Sequence, residues 1–278
     1  MAIFNLTMNA DIHAGGAAND IFRGPGGGID RLNGGAGADR FFLQPNQQGR
    51  IDGGIGIDSI IMRGDLNGTF MRNLTFVNVE QLFAGEPRLF ATASQLSSFT
   101  RIVPETDEDQ FIIFLGGPGG ALDLSQRYTS TTALRVDAFG TESAVTLIGS
   151  ARGDSLGGSN FNDVIVGGLG KDGLEGNGGN DVFRYAAVNQ SPRGAGADVI
   201  FNFDNFDDDR INLSALQGPA LVYRHSAPFT KTGQVRIQDV AGPDVVVQVN
   251  LTGTLTPEME IRLAFVDLPE MSKGDFIL

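Results

Sequence analysis

The aspartates of this chain keep a step. Asp11, Asp20, Asp30 and Asp39 follow one another at intervals of nine, ten and nine residues, and Asp154, Asp163, Asp172 and Asp181 at nine throughout. Most of them close a glycine-rich hexamer. The first cluster reads GGAAND (15–20), PGGGID (25–30), GGAGAD (34–39) and, after a gap, GGIGID (53–58). The second reads GSARGD (149–154), GSNFND (158–163), GGLGKD (167–172) and GNGGND (176–181). Carboxylates at a fixed step beside glycines point to cation chemistry: aspartate supplies charge and a hard oxygen, and glycine lets loop carbonyls turn toward the same ion, a donor set that suits calcium. Zinc would want nitrogen or sulfur, and the chain has two histidines, His13 and His225, and no cysteine.

Candidate ligands follow from the hexamers. The acids are Asp11, Asp20, Asp30, Asp39, Asp58, Asp154, Asp163, Asp172 and Asp181. The loop glycines are Gly15, Gly26, Gly28, Gly34, Gly35, Gly37, Gly53, Gly56, Gly167, Gly168, Gly170, Gly176 and Gly178, and Asn19, Asn162 and Asn180 stand beside their acids. One hexamer alone would read as an ordinary turn. Eight in register call for a common structure.

That structure is set by what lies between the acids. Two places after each comes an apolar residue: Phe22, Leu32, Phe41, Ile60, Leu156, Ile165, Leu174 and Phe183. Asp11 breaks the rule with His13, as expected of a terminal, imperfect turn. The pattern reproduces the G-G-x-G-x-D-x-U-x nonapeptide of the β-roll. Over residues 11–61 and 150–184 the chain resembles the hemolysin-type, or RTX, calcium-binding repeat family. Six residues make a turn and three a short strand, so two nonapeptides complete one coil of a flattened right-handed helix. Residues 18 apart then stack at the inter-strand spacing of about 4.8 Å. Asp154 is expected over Asp172, and Asp163 over Asp181.

Residues 59–148 lack hexamers but keep short apolar runs: Phe76–Val79, Ile102–Val103, Phe111–Leu115, Leu122–Leu124, Leu134–Val136 and Val145–Ile148. They read as further parallel coils without calcium, an inserted module being the alternative. Glu105, Asp107, Glu108 and Asp109 form an acidic patch that reads as a solvated loop. Past Asp181, ADVIFNFDNFDDDRINLSAL (197–216) resembles the serralysin-type C-terminal domain, a likeness that covers roughly residues 150–278. The strands 234–240, 244–251 and 259–266 alternate as an antiparallel cap should, and a cap is needed because a bare last coil exposes a strand edge. Asp198, Asp204, Asp207, Asp208 and Asp209 can add ligands or serve as surface charge. The end, Gly274-Asp275-Phe276-Ile277-Leu278, resembles the uncleaved signal of type I secreted proteins, and it equally suits a final strand of the cap.

The expected fold is therefore all-β: a right-handed parallel β-roll or β-solenoid with calcium-binding turns and a C-terminal antiparallel β cap. Its expected divisions are a first β-roll (1–61), calcium-poor coils (62–148), a second β-roll (149–197) and a cap carrying the secretion signal (198–278).

Charge narrows the function. With 33 acids against 20 bases the formal charge is −13, which disfavours nucleic acid and anionic membrane as partners. No run approaches a membrane span, and the N-terminus lacks a basic start and an apolar stretch of the cleaved-signal kind. The expected partners are several calcium ions and the type I secretion machinery, in a secreted or extracellular protein, with self-assembly or polysaccharide as further options. Neither HExxH nor GxSxG occurs, so no catalytic motif supports an enzyme. A surface or matrix role, structural or adhesive, fits the repeats. A polysaccharide-binding module would want exposed aromatics, and the chain has no tryptophan and three tyrosines, Tyr128, Tyr185 and Tyr223. An active site within 59–148 is the third reading.

Overall fold

The computed structural model describes residues 1–25, 27–43, 47–62, 71, 73–105, 108–203, 208–240, 242–266 and 271–278. It is an all-β parallel solenoid, and the chain divides into two compact units, Met1–Arg135 and Val136–Leu278.

In the first unit the strands are as short as the repeat requires. One parallel sheet takes Ile3–Asn5, Ile21–Arg23, Arg40–Leu43, Ser59–Met62, Gln81–Ala84 and Arg101–Pro104 in that order. A second takes Ile12–Ala14, Ile29–Asn33, Gln48–Asp52 and Leu74–Val77. The apolar residue two places after each acid points inward, so Phe22, Phe41 and Ile60 lie in register and are fully buried. Phe4, Phe22 and Phe41 stack ring on ring at 4.7 and 4.6 Å. Burial of each such side chain is worth about 1.5–3 kcal/mol, and ring stacking adds to that.

The coil length differs from the expected 18. Ile3 pairs with Ile21, but Phe22 pairs with Phe41 and Phe41 with Ile60, a period of 19. The extra residue belongs to ten-residue steps such as Asp20 to Asp30, which lengthen one turn without shifting a strand to the wrong face. Coils continue beyond the hexamers: Leu74–Val77 pairs with Gln48–Asp52, and Arg88–Ala91 with Gln110–Gly117, all parallel. A one-turn helix, Ala93–Ser97, was not expected there. It is capped by Thr92 and Gln95, buries Leu96, and takes the place of a turn. Five residues are too few for a helical period to show in sequence.

In the second unit the 18-residue coil is kept where hexamers repeat. Val145–Ile148, Val164–Val166 and Val182–Arg184 stack, as do Asp154–Gly157 and Gly173–Glu175. Coils then lengthen to 26 and 28, with Leu174 beside Ile200 and Phe183 beside Ile211. The cap forms as expected from Gln234–Asp239, Asp244–Asn250 and Met259–Ala264, antiparallel in sequence. Its last strand also pairs parallel with Asp198–Phe201, so the cap extends a solenoid sheet rather than standing apart. Phe276–Ile277 lies parallel to Arg210–Asn212, with Phe276 buried. Among the described residues no helix is long and apolar enough to cross a membrane.

Candidate metal centre

The acids form ladders. In each, the backbone N–H of one acid donates to Oδ1 of the acid one coil later. In the first unit Asp20 donates to Asp39 at 2.6 Å and Asp39 to Asp58 at 2.7 Å. Asp58 donates to Oε2 of Glu80 at 2.8 Å, so a glutamate continues the series. On the second sheet's side Asp11 donates to Asp30 at 2.9 Å, and Gln47 Nε2 supplies Oδ2 of Asp30 at 3.1 Å. In the second unit Asp154 donates to Asp172 and Asp172 to Asp198, at 2.8 and 2.9 Å. Asp163 donates to Asp181 and Asp181 to Asp209, at 2.7 and 2.8 Å. The pairs expected from spacing, Asp154 with Asp172 and Asp163 with Asp181, are thus adjacent rungs.

The second carboxylate oxygen, Oδ2, faces back to the first glycine of its own hexamer. A Cβ on Gly34 would sit 2.3 Å from Oδ2 of Asp39 and 2.4 Å from the carbonyl oxygen of Gly53, one coil on. At Gly149 the same point is 2.6 Å from Oδ2 of Asp154 and 2.2 Å from the Gly167 carbonyl. Carboxylate and carbonyl oxygens therefore converge where only a hydrogen can be tolerated. This is why the first hexamer position is glycine in most repeats. The second position takes a left-handed turn, with φ of +94° at Gly35 and +108° at Gly168. In GNGGND that slot is Asn177 at φ +72°, a conformation asparagine tolerates better than other side chains.

These oxygens divide into two kinds. Oδ2 of Asp39, Asp58 and Asp172 is buried with no hydrogen-bond partner, while the Asp198 carboxylate has the buried Tyr185 phenol against it. An unsatisfied buried carboxylate oxygen is costly, and each calls for a cation or a proton. Asp154 and Asp163 belong to hexamers with serine in the second slot, and there the serine serves. Ser159 Oγ lies 2.9 Å from both oxygens of Asp163, and Ser150 donates to Asp154 through N and Oγ at 2.5 and 3.0 Å.

Burial pushes the carboxyls up: Asp58 and Asp154 to about 6, Asp198 to about 7. Asp172 rises to about 8, first through burial and then through the charge of Asp198. Asp30, Asp39 and Asp163 are also raised by burial. Asp20 is lowered, mainly by the N–H groups of Ala2 and Gly16. Behind Asp198 sits the fully buried Tyr185, whose phenol is raised well above its ordinary value by burial and then by that carboxylate.

Other sequence candidates fall elsewhere. In the first unit Asn19 accepts the N–H of Ala38 through its side-chain oxygen; in the second, Asn162 and Asn180 accept those of Asn180 and Asp208, exposed contacts outside the acids. Asp11 is half-buried and accepts from Thr7 N at 2.7 Å. Gly28 has φ +67° against Ala10, and Gly37, Gly56 and Gly170 pack on the backbone of neighbouring coils. Gly15, Gly53, Gly167 and Gly176 are first-position glycines facing their own acids, while Gly178 lies beside Asn160 and donates its N–H to the Ser159 carbonyl. Gly26, Asp107, Asp204 and Asp207 lie outside the described residues. Of the acids read as ligands or surface charge, Asp198 and Asp209 are buried rungs and Asp208 is exposed. Sequence held a signal for both, since Asp198-x-Ile200 and Asp209-x-Ile211 repeat the acid-to-apolar step. Glu80-x-Leu82 does so with the longer acid. Among the described residues no three His, Cys, Asp or Glu side chains gather at one point, so a cation here would need loop carbonyls beside its carboxylates.

The description "Peptidase M10 serralysin C terminal" matches residues 13–278, and so spans both sets of ladders and the cap. The chain belongs to the serralysin C-terminal family. That family is the non-catalytic repeat part of serralysin-type proteases. This serralysin C-terminal chain matches no curated protein sequence. Among solved structures it is similar to the AlgE6R3 subunit of the Azotobacter vinelandii mannuronan C5-epimerase, at 24% identity and a TM-score of 0.33. The match covers 49% of this chain and 78% of that subunit.

Proposed function

We propose that this is a secreted protein whose β-rolls bind several calcium ions and fold on doing so. The observation that carries the reading is the set of buried, unpartnered Oδ2 atoms of Asp39, Asp58 and Asp172, the first two beside a backbone carbonyl of the next coil, Gly53 and Asn78 respectively. Two hard oxygens from successive coils are the start of a calcium site, and the ladder offers one at each coil. With its sites empty, a chain of net charge −13 and 39 glycines has repulsion and chain entropy against folding. Extracellular calcium modules bind at about 10⁻⁴ to 10⁻³ M, so folding would wait for the outside of the cell. The C-terminal residues, resembling a type I signal, fit export of the unfolded form. In the folded form Phe276 is buried, so such a signal would be read before folding.

The role we assign to the folded protein is structural or adhesive, at a cell surface or in a matrix. Calcium titration followed by far-UV circular dichroism and sedimentation tests both parts. A coil-to-β transition in the high-micromolar to millimolar range supports the switch, and assembly on folding supports the structural role. Full β structure in metal-free buffer at neutral pH overturns the switch, and a folded protein that stays monomeric overturns assembly.

A further inference from the structure

The outward face of the sheet Ile12–Ala14, Ile29–Asn33, Gln48–Asp52 and Leu74–Val77 forms an open groove of about 720 Å³. Register brings Ile12, Arg31, Arg50 and Thr75 into one row across the four strands. Asn33 and Asp52 sit side by side in the next row, and Gln48 lines the groove as well. Arg50 is already oriented: its guanidinium meets Asp52 at 2.9 Å, and Asn78 Nδ2 holds the other oxygen of Asp52 at 2.9 Å. Arg31 is different. Neither it nor Asn33, Gln48 or Thr75 makes a side-chain hydrogen bond or ion pair with any described residue.

We infer that this groove binds a linear oligosaccharide bearing carboxylates, a polyuronate. A planar guanidinium fork matches a carboxylate in a bidentate way, and two forks stand on adjacent strands. The row advances by about 4.8 Å per strand, close to the length of one sugar unit in an extended chain, so two neighbouring sugars meet the Arg31 fork and the Asp52-oriented Arg50 fork. The amides and hydroxyl beside the row suit ring hydroxyls. Apart from His13, whose ring lies against Phe4, no aromatic side chain lines the groove, which argues against a neutral polysaccharide held by stacking. An acidic peptide that docks by strand addition needs an open edge rather than the face of a paired sheet. The inference rests on the calcium-folded reading above.

The test uses the full chain in saturating calcium and titrates trigalacturonate, too short to gel with calcium, by calorimetry. Its methyl ester, maltotriose and oligoglutamate are the comparison probes. Trigalacturonate should bind and weaken with added salt, and the other three should not bind. Arg31→Ala and Arg50→Ala should each reduce affinity by about tenfold or more, while Arg101→Ala, exposed on the other sheet, should not. Arg31 has no partner and Arg50 only a surface one, so both variants should keep the parent's calcium midpoint by circular dichroism. Equal binding of the methyl ester, equal binding of oligoglutamate, no binding of trigalacturonate, or full binding by both arginine variants overturns the inference. Loss of the calcium transition in the parent chain would instead count against the folding switch, so the two failures are separate.

Discussion

In metal-free buffer the folded protein should become less stable as pH rises from about 5 to about 8. Most proteins do the reverse over this range, because their buried carboxylates are stabilised as anions. Here the folded carboxyls titrate above the unfolded value of 3.8: Asp58 and Asp154 at about 6, Asp198 at about 7, Asp172 at about 8. Between those limits the folded state keeps protons that the unfolded chain has lost, so each retained proton costs stability as pH increases. The contribution is intact below pH 4 and is fully lost once Asp172 ionises near pH 8. Asp172 and Asp198 hold protons over about two pH units between pH 5 and 7, at about 1.4 kcal/mol per proton per unit. That is on the order of 5 kcal/mol for two protons, and about 3 kcal/mol if the neighbouring pair shares one. A loss of that size rivals the whole stability of a typical domain. Urea unfolding of metal-stripped protein measures it from about pH 5 upward, and the pH at which the far-UV β signal is lost without urea marks where the proton-held fold gives way. Saturating calcium, holding the carboxylates ionised, should flatten the dependence, and Asp172→Asn should reduce the metal-free slope. A metal-free stability that is level or rises from pH 5 to 8 would refute the reasoning.

Three substitution experiments follow from the loop geometry. Gly34→Ala forces a methyl against Oδ2 of Asp39 and the Gly53 carbonyl and should cost about 3 kcal/mol in calcium-saturated urea melts. Gly16→Ala, with nothing within 4 Å of the added carbon, should be neutral or stabilising by about 0.5 kcal/mol. Ser159→Gly removes the hydroxyl that serves Asp163 and should cost about 1 kcal/mol in metal-free buffer at low pH. Calcium should recover part of that loss, as the new hexamer comes to resemble GGLGKD.

The ladders and the cap were legible because the signals were local. An acid every nine residues and an apolar residue two places later fix which side chains face inward. The extension of the ladders through Asp198 and Asp209 was harder to see, since the coils lengthen to 26 and 28 residues and the acid-to-apolar step survives without its hexamer. The 19-residue coil of the first unit was present in the nine-and-ten spacing, but an 18-residue template hides it. Ser150 and Ser159 stand where GGLGKD has its second glycine, and their part in satisfying the carboxylates is visible only in the fold. The groove left no pattern at all, since Arg31, Arg50 and Thr75 meet only through register between strands 19 and 25 residues apart.

The direction of the ladder bonds has a consequence for how the roll is built. Each acid offers its side chain to the coil before it and donates its own N–H to the coil after it. The N–H of each acid is therefore satisfied only once a later coil is in place, while strand N–H groups of the later coil donate back, as Arg210 does to the Asp181 carbonyl. In the second unit that starting surface is Asp198 and Asp209, on strands pinned by Met259–Ala264 and Phe276–Ile277. Assembly is expected to start from this pinned end, like a zipper with one fixed end, and to run from the C-terminal cap toward the N-terminus. Pulsed hydrogen exchange should find the amides of Asp172 and Asp181 protected before those of Asp154 and Asp163. Truncation of the last five residues should then impair the whole second unit, while loss of its first coil leaves the remainder folded.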